Sequence, residues 1–295
     1  MEYVIETEKV VKKFGYKAAV KDVSLHVSRG DIYGLIGKNG AGKTTLMKVL
    51  LGLTFPTSGS VRLFGTEELN SGRARIGSLI EAPGLYTGET AYENLKRFAM
   101  LTSSTEEEIQ DILKLVGLEN TGNKKAGAFS LGMKQRLGIG IALLGNPEML
   151  ILDEPVNGLD PAGIKDVRDL ILELNSRGVT VLISSHLLDE LGKIATKYGI
   201  MRDGALIEEL TPDEIAEFSR TPLEIEASDV RGAREIITGL YPDARVTEDG
   251  NKLCVYKDDL NPAEVNRALV ERGIEVSELK REKLLLEDFF IKRMG

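Results

Sequence analysis

The order of apolar and polar positions changes several times along the chain. Short alternating segments between Val10 and Val61 predict the half-buried strands of a mixed sheet. Three continuous apolar segments, at residues 31–36, 149–153 and 179–184, predict fully buried strands. Helical spacing follows the first of these segments and separates the other two. Buried strands that alternate with helices predict an α/β fold with a parallel sheet covered on both faces.

A helical subdomain is predicted within this part of the chain, over about residues 85–146. Its clearest signal is the spacing of Leu137, Ile141 and Leu144 at i, i+4 and i+7. The Asn146-Pro147 pair follows directly and ends the helical pattern.

The character of the chain changes after Pro212, where charged residues become dense. A break at Thr221-Pro222 precedes a new alternating strand, and the remaining pattern is helix, hairpin around Asp249-Gly250, helix, strand and final helix. We therefore predict a first domain over residues 1–219 and a small α+β domain over residues 220–295.

Charge and composition exclude some functions. The chain has 295 residues and a net charge of −8, which argues against a general affinity for nucleic-acid backbones. Aromatic residues make up 5% and tryptophan is absent, so stacking platforms for single strands are scarce. The acidic N-terminal residues do not resemble a secretory signal, and no apolar run approaches the ~20 residues of a membrane span. We expect a cytoplasmic protein whose membrane association is peripheral.

Cysteine and histidine, which often take part in catalysis or metal binding, are scarce in this chain. The single cysteine, Cys254, allows no internal disulfide and fits a reducing compartment. Of the two histidines, His26 falls on the polar face of its predicted strand, so we expect it to be exposed to solvent and without a role.

The apolar strand at residues 31–36 leads into Gly37-Lys-Asn-Gly-Ala-Gly-Lys43-Thr44, which fits the P-loop pattern G-x-x-x-x-G-K-[ST]. Glycines let main-chain N–H groups face phosphate oxygens, and the following helix adds positive potential. Lys43 is expected to reach the β- and γ-phosphates, and the Thr44 hydroxyl to bind Mg²⁺. The predicted ATP-binding residues of this loop are Gly37, Asn39, Gly40, Ala41, Gly42, Lys43, Thr44 and Thr45.

Two carboxylates end the buried strand at residues 149–153. The carboxyl end of a strand is where an open α/β sheet binds its ligand. Asp153 is predicted to hold Mg²⁺ through water. Glu154 is predicted to deprotonate the attacking water, which is the general-base role of phosphoryl transfer.

Later motifs resemble those of ATP-binding cassette (ABC) ATPases. FSLGMKQRLGIGIAL, residues 129–143, resembles the signature motif of this family, GLDP at residues 158–161 fits its D-loop, and His186 in SSHLLDE fits its switch histidine. The resemblance covers about residues 3–218. It implies a P-loop ATPase core with antiparallel β and helical subdomains.

The resemblance also implies roles for single residues. In a head-to-tail dimer, ATP at Lys43 of one subunit would be covered by Ser130 and Gly132 of the other, with Asp160 across the seam. His186 would contact the γ-phosphate and report its loss. Phe14 in KKFG matches the aromatic residue that stacks on adenine, although a buried core phenylalanine is the alternative.

One residue departs from the common family pattern. Glu81 stands where most ABC ATPases have glutamine, and it precedes the helical subdomain. This variant resembles the bacitracin and lantibiotic exporter branch, and a neutral change is the alternative. We predict that Glu81 is close to Mg²⁺, takes part in catalysis and couples the nucleotide state to a membrane partner.

The leading hypothesis is the ATPase subunit of an ABC exporter of peptide antibiotics, which drives a separate polytopic permease and dimerises with itself or a related ATPase. A soluble ABC ATPase that acts on ribosomes or DNA would be expected to show two cassettes, a coiled coil or a basic face. An importer ATPase is disfavoured by Glu81, and a purely regulatory nucleotide-binding protein by the presence of Glu154 and His186.

Overall fold

The computed structural model describes residues 2–218, 222–257, 259–281, 289, 290 and 293. The chain divides into two compact units, Met1–Pro212 with Lys292–Gly295, and Asp213–Ile291. The predicted boundary between residues 219 and 220 lies outside the described residues, and so does most of the predicted final helix. Both stay predictions.

An antiparallel sheet begins the first unit, as the family resemblance implies, and the mixed sheet predicted from the alternating pattern is wrong for these strands. Its central strand pairs with each of the other three strands. The strands are β1 (Tyr3–Phe14), β2 (Lys17–Val23), β3 (His26–Ser28) and β5 (Ser58–Leu63). Val23 of β2 and Val27 of β3 are fully buried, because alternate side chains of these short strands face the core.

The second sheet has six strands in the order β10-β9-β4-β8-β7-β6. These are β4 (Ile32–Ile36), β6 (Ile76–Leu79), β7 (Met149–Asp153), β8 (Thr180–Ser185), β9 (Lys197–Arg202) and β10 (Ala205–Leu210). Neighbouring strands are parallel except for the β9–β10 hairpin. Every residue of β4, β7 and β8 is buried, as their continuous apolar sequences predict. Because these strands are parallel, their carboxyl ends meet at one edge.

His26 is not fully exposed, so that prediction is wrong. Its imidazole Nδ1 lies 2.8 Å from Oε2 of Glu209 on β10, and the buried Tyr33 hydroxyl donates to Oε1 of the same carboxylate at 2.8 Å. Burial beside this carboxylate raises the pKa of Tyr33. The sequence could not reveal this contact, because β3 and β10 are distant along the chain.

Helices complete the first unit. They are α1 (Lys43–Leu50), α2 (Leu69–Arg73), α3 (Ala91–Thr102), α4 (Glu106–Leu115), α5 (Leu131–Ala142), α6 (Pro161–Ser176) and α7 (Leu188–Leu191). Thr90 and Thr105 begin α3 and α4 with capping boxes, in which a glutamate three residues later returns a hydrogen bond. The helices α3, α4 and α5 occupy the segment that was predicted to be helical. None of the helices in the described residues is long and apolar enough to cross a bilayer.

The second unit contains an antiparallel sheet with strand order β12-β13-β11-β14. Its elements are α8 (Pro212–Phe218), β11 (Leu223–Ala227), α9 (Val230–Leu240), β12 (Arg245–Asp249), β13 (Lys252–Tyr256), α10 (Pro262–Glu271) and β14 (Val276–Lys280). From β11 onward the order is β-α-β-β-α-β, the ferredoxin-like arrangement. Ile225 and Leu253 of the sheet pack with Ile237 and Leu269 of the helices in its core.

The Glu148 carboxylate connects the segments that precede β4, β6 and β7, at the amino ends of these parallel strands. Glu148, directly before β7, accepts hydrogen bonds from Arg75 at 2.6 and 2.8 Å and from Arg29 at 2.8 Å. These two guanidinium groups lower the pKa of Glu148 to about 2. The ion pairs therefore hold the starts of β6, β7 and β4 together.

Replacing Glu148 by Gln should lower the free energy of unfolding at pH 7 by about 1 kcal/mol, a modest value because the side chain is 40% exposed. The folded-state pKa of about 2 lies below the ordinary 4.5, so this stabilisation is complete above pH 4.5 and is lost as the pH falls toward 2. Urea unfolding at pH 7 and pH 3.5 measures the effect. Glu173→Gln, which removes an exposed pair with Arg177, is the control. An equal loss at both pH values would contradict the linkage.

Candidate nucleotide-binding site

A cavity of about 790 Å³ opens at the carboxyl end of β4. It is bounded by the P-loop, the turn between β1 and β2, the turn between β9 and β10, and the end of β7. The lining residues are Phe14, Tyr16, Lys17, Ala18, Ala19, Lys21, Asn39, Gly40, Ala41, Gly42, Lys43, Thr44, Thr45, Glu154, Asp203 and Gly204. Of the predicted loop residues, only Gly37 is absent from the lining. We call this space the P-loop cavity.

Two P-loop glycines are required by close approach of other main-chain atoms. Gly42 has a φ of +105°, and a Cβ there would lie 2.4 Å from the carbonyl oxygen of Ala19. A Cβ on Gly37 would lie 2.6 Å from the carbonyl oxygen of Met201. The loop is therefore pressed against β2 and β9, and α1 begins at Lys43 with its N-terminal N–H groups at the cavity.

Lys43 places its ammonium group inside the site. The side chain is only 6% exposed, and its Nζ donates to the Gly37 carbonyl at 2.7 Å. The same atom lies 3.4 Å from Oε1 of Glu154. A cation held between the loop and the end of β7 is suited to bind a phosphate group.

Asp153 is a buried carboxylate with both oxygens occupied. It is 4% exposed, and it accepts hydrogen bonds from the Thr44 hydroxyl at 2.8 Å and the Ser184 hydroxyl at 2.6 Å. Two of the three predicted metal-binding residues, Thr44 and Asp153, are therefore in direct contact. Ser184 was not singled out from the sequence. Its signal is a polar residue at the end of the apolar segment that forms β8.

The Glu154 carboxylate lies between His186 and Lys43. Its Oε2 is 2.7 Å from Nδ1 of His186, and its main-chain N–H donates to the Ser184 hydroxyl at 2.9 Å. Its Oε1 is buried and has no hydrogen-bond partner among the described residues, although Lys43 is near. Glu154 has a φ of +48°, a strained conformation for a residue with a side chain. The structure thus brings Glu154, His186 and Lys43 together.

Two aromatic side chains, Phe14 and Tyr16, also line the P-loop cavity, and we call them its aromatic wall. Phe14 is 57% exposed and lines the cavity, so the alternative of a buried core residue is wrong. Tyr16 is fully exposed and lines the same wall. Tyr16 was missed, and its signal is a second aromatic residue two positions after the first. Both exposed rings are of the kind that stacks on a planar base, and Lys12 Nζ lies 4.8 Å from the centre of the Phe14 ring.

Ser130, Gly132 and Asp160 do not line the P-loop cavity of their own chain. Ser130 caps α5 by accepting a hydrogen bond from the Met133 N–H at 3.2 Å, and Asp160 caps α6 through the Gly163 N–H at 3.0 Å. The Gly132 and Gly163 main chains are near neighbours, so the two helix starts lie side by side. A contact of these residues with ATP therefore needs a second subunit and stays a prediction.

Glu81 is also outside the P-loop cavity. Its side chain is 66% exposed, and its Oε1 lies 2.6 Å from Nζ of Lys48 in the last turn of α1. Its φ is +62°, in the left-handed region. The structure does not bring Glu81 into contact with Thr44 or Asp153, so its role at a metal stays a prediction.

Comparison with known proteins identifies the family. A sequence profile described as "ABC transporter" matches residues 20–157. The bacitracin transport ATP-binding protein BcrA of Enterococcus faecalis is 42% identical over 300 residues, which cover 100% of this chain and 97% of that protein. The chain belongs to the ATP-binding proteins of ABC transporters. The lantibiotic transport ATP-binding protein SrtF of Streptococcus pyogenes is 42% identical over 206 residues, 70% of this chain and 90% of that protein.

Solved structures agree with this family. A crystal structure of an ABC transporter's ATP-binding cassette in its ADP conformation has a TM-score of 0.67 and 30% identity, and the match covers 74% of this chain and 94% of that one. A dimeric cassette bound to ADP and Pi has a TM-score of 0.63 and 25% identity, covering 70% and 98%. The predicted P-loop ATPase fold and ATP hydrolase activity of this ABC protein are confirmed, and the ribosome or DNA alternative receives no support.

Gly42→Ala should weaken ATP binding by about tenfold or more, because the left-handed φ and the Ala19 carbonyl both oppose a Cβ. Titration with a fluorescent ATP analogue measures the affinity. Gly84→Ala is the control, since a Cβ at Gly84 meets no atom within 4 Å. A folded Gly42→Ala protein with unchanged affinity would mean that the loop does not hold the nucleotide.

Proposed function

We propose that this protein is the ATP-hydrolysing subunit of an ABC exporter that removes peptide antibiotics of the bacitracin or lantibiotic type. The observation that carries the proposal is the relation to a bacitracin transport ATP-binding protein over both units of the chain. The exporter would consist of a separate polytopic permease with this subunit bound at its cytoplasmic face.

The P-loop cavity fits ATP with Mg²⁺. The start of α1 lines the cavity, and Lys43 supplies a buried positive charge there. A hydroxyl and a carboxylate, from Thr44 and Asp153, are hard oxygen ligands of the kind Mg²⁺ prefers. When bound there, Mg²⁺ would neutralise charge that develops on the phosphate oxygens.

Glu154 is the proposed general base. His186 engages Oε2, which leaves Oε1 as the oxygen that can accept a proton from a water molecule. The Nζ of Lys43 lies 3.4 Å from this oxygen. His186 is proposed to exchange this contact for the γ-phosphate when ATP is present.

Glu154→Gln should keep ATP binding and lower turnover by about 10²-fold, because an amide cannot accept the proton. Phosphate release and analogue binding measure the two effects, and gel filtration with ATP should show an ATP-bound dimer. Glu67→Gln, an exposed glutamate paired with Arg62, is the control. Unchanged turnover in Glu154→Gln would remove this residue from the mechanism.

The dimer is proposed to be head to tail, formed with a second copy or with a related ATPase. Ser130 and Gly132 at the start of α5 would cover the γ-phosphate of the partner site, and Asp160 would lie across the seam. The helix start supports this role, since α5 begins one residue after Ser130 and its first N–H groups favour an anion. With a net charge of −8, nucleic acid is not proposed as a partner.

Glu81 is proposed to couple the nucleotide state to the permease. Its ion pair with Lys48 links α1, which carries Lys43 and Thr44 at its start, to the segment that leads into α3. A glutamine would keep a hydrogen bond and lose the charge. The exposed pair is worth only about 0.2–1 kcal/mol, so it can modulate coupling without being required for folding.

Glu81→Gln should therefore change the ratio of transport to ATP hydrolysis in the complete complex and shift the Mg²⁺ dependence of the rate, with little change in stability. Affinity purification from membranes would first identify the co-purifying permease, and reconstituted vesicles would give both rates. Lys48→Met should reproduce the changed ratio, since it removes the same ion pair. If transport, hydrolysis and Mg²⁺ dependence all match the parent, Glu81 is a neutral change.

A further inference from the structure

The last residues of the chain belong to the first unit, although the second unit precedes them. The Arg202 guanidinium donates to the main-chain carbonyl of Arg293 at 3.0 Å, and the Arg293 guanidinium forms an ion pair with Glu208. Arg202 ends β9 and Glu208 lies in β10. Arg293 therefore holds both strands of the β9–β10 hairpin. We call Arg202, Glu208 and Arg293 the C-terminal clamp.

The turn of the same hairpin builds one wall of the P-loop cavity. Asp203 and Gly204 line the cavity. The Gly204 N–H donates to the Ala41 carbonyl at 3.0 Å, and the Gly204 carbonyl accepts from the Lys21 N–H at 2.7 Å. One residue of the turn thus joins the P-loop to β2, which follows the turn that carries Phe14 and Tyr16.

The packing around this junction leaves little room for movement. A Cβ on Gly204 would lie 2.9 Å from the Ala19 carbonyl oxygen, and the Gly204 φ is +89°. Ideal Cβ positions on Gly37 and Gly42 likewise fall 2.6 Å and 3.3 Å from atoms of Met201, the residue before the hairpin's Arg202. Close-packed contacts transmit displacement, so a shift of the hairpin moves the P-loop and the aromatic wall together.

We propose that Arg293 is a positioning residue for nucleotide binding, which acts through the C-terminal clamp and the β9–β10 hairpin on the P-loop cavity. The proposal rests on the cavity being the ATP site. Chain connectivity adds a regulatory consequence. In sequence, the second unit lies between β10 and Arg293, so both of the segments that flank it contribute to the clamp. A partner of the second unit that withdraws Arg293 would lower the affinity for ATP.

The test is Arg293→Glu in the full chain. The Arg293 and Glu208 side chains are each 29% exposed, and breaking a partly exposed ion pair shifts an equilibrium by up to about fivefold. We expect the Kd of a fluorescent ATP analogue and the KM for ATP to rise by about threefold to fivefold, with kcat within about twofold of the parent. The double variant Glu208→Arg with Arg293→Glu should restore both values. The conservative variant Arg293→Lys should raise Kd and KM less than Arg293→Glu does.

Removal of residues 292–295 should raise KM at least as much, and Glu208→Arg should not rescue it. Arg234→Glu breaks a pair with Glu248 in the second unit and is the control that should leave KM unchanged. An unchanged KM in Arg293→Glu, failure of the charge swap, or a fall in kcat alone would overturn the proposal. Lys43→Ala tests separately whether the P-loop cavity is the ATP site. Full retention of ATP affinity in this variant would show that ATP binds elsewhere, and it would not test the C-terminal clamp.

Discussion

The buried carboxylate of Asp153 is the constraint on which the ATP site depends. It ends β7 in an almost water-free position, where an unpaired charge would be costly. The hydroxyls of Thr44 and Ser184 satisfy it, and these belong to the P-loop helix and to β8. Because Ser184 also accepts the Glu154 N–H, the same contacts fix the strained backbone that turns Glu154 toward Lys43. The parallel sheet brings these residues to one edge, and the hydroxyls set their distances.

Much of the fold could be predicted because its signals are local. The apolar segments at 149–153 and 179–184 became β7 and β8 within one residue, since strands buried on both faces leave no ambiguity about which residues face the core. The P-loop could be predicted equally well, because the close approach of other main-chain atoms to Gly37 and Gly42 excludes residues with a side chain. That Lys43, Thr44, Asp153 and Glu154 lie at one edge then followed from the rule that an open α/β sheet binds its ligand at the carboxyl ends of its strands.

Contacts between distant segments could not be predicted. The pairing of His26 with Glu209 and the attachment of Arg293 to β9 and β10 depend on side chains that are far apart in sequence and carry no pattern. Ser184 is an intermediate case, since its polarity within an apolar strand is visible but its partner is not. Glu81 is a different case, because its predicted role at a metal stays a prediction. The family position suggested a metal, whereas the nearest opposite charge is Lys48.

Helix α1 connects the ion pair of Glu81 with Lys48 to the P-loop cavity. Its first residues, Lys43 and Thr44, lie in the P-loop cavity, and Lys48 in its last turn holds Glu81. Eight residues at ~1.5 Å rise form a rod of about 12 Å, whose internal hydrogen bonds keep its two ends in fixed relation. We infer that a movement of Thr44 reaches Glu81 through this rod. A glutamine at this position would lack the charge that Lys48 attracts, so in the proposed coupling the carboxylate would make the segment before α3 follow the helix. The ion pair at the far end of the P-loop helix is therefore the contact through which the proposed coupling would run.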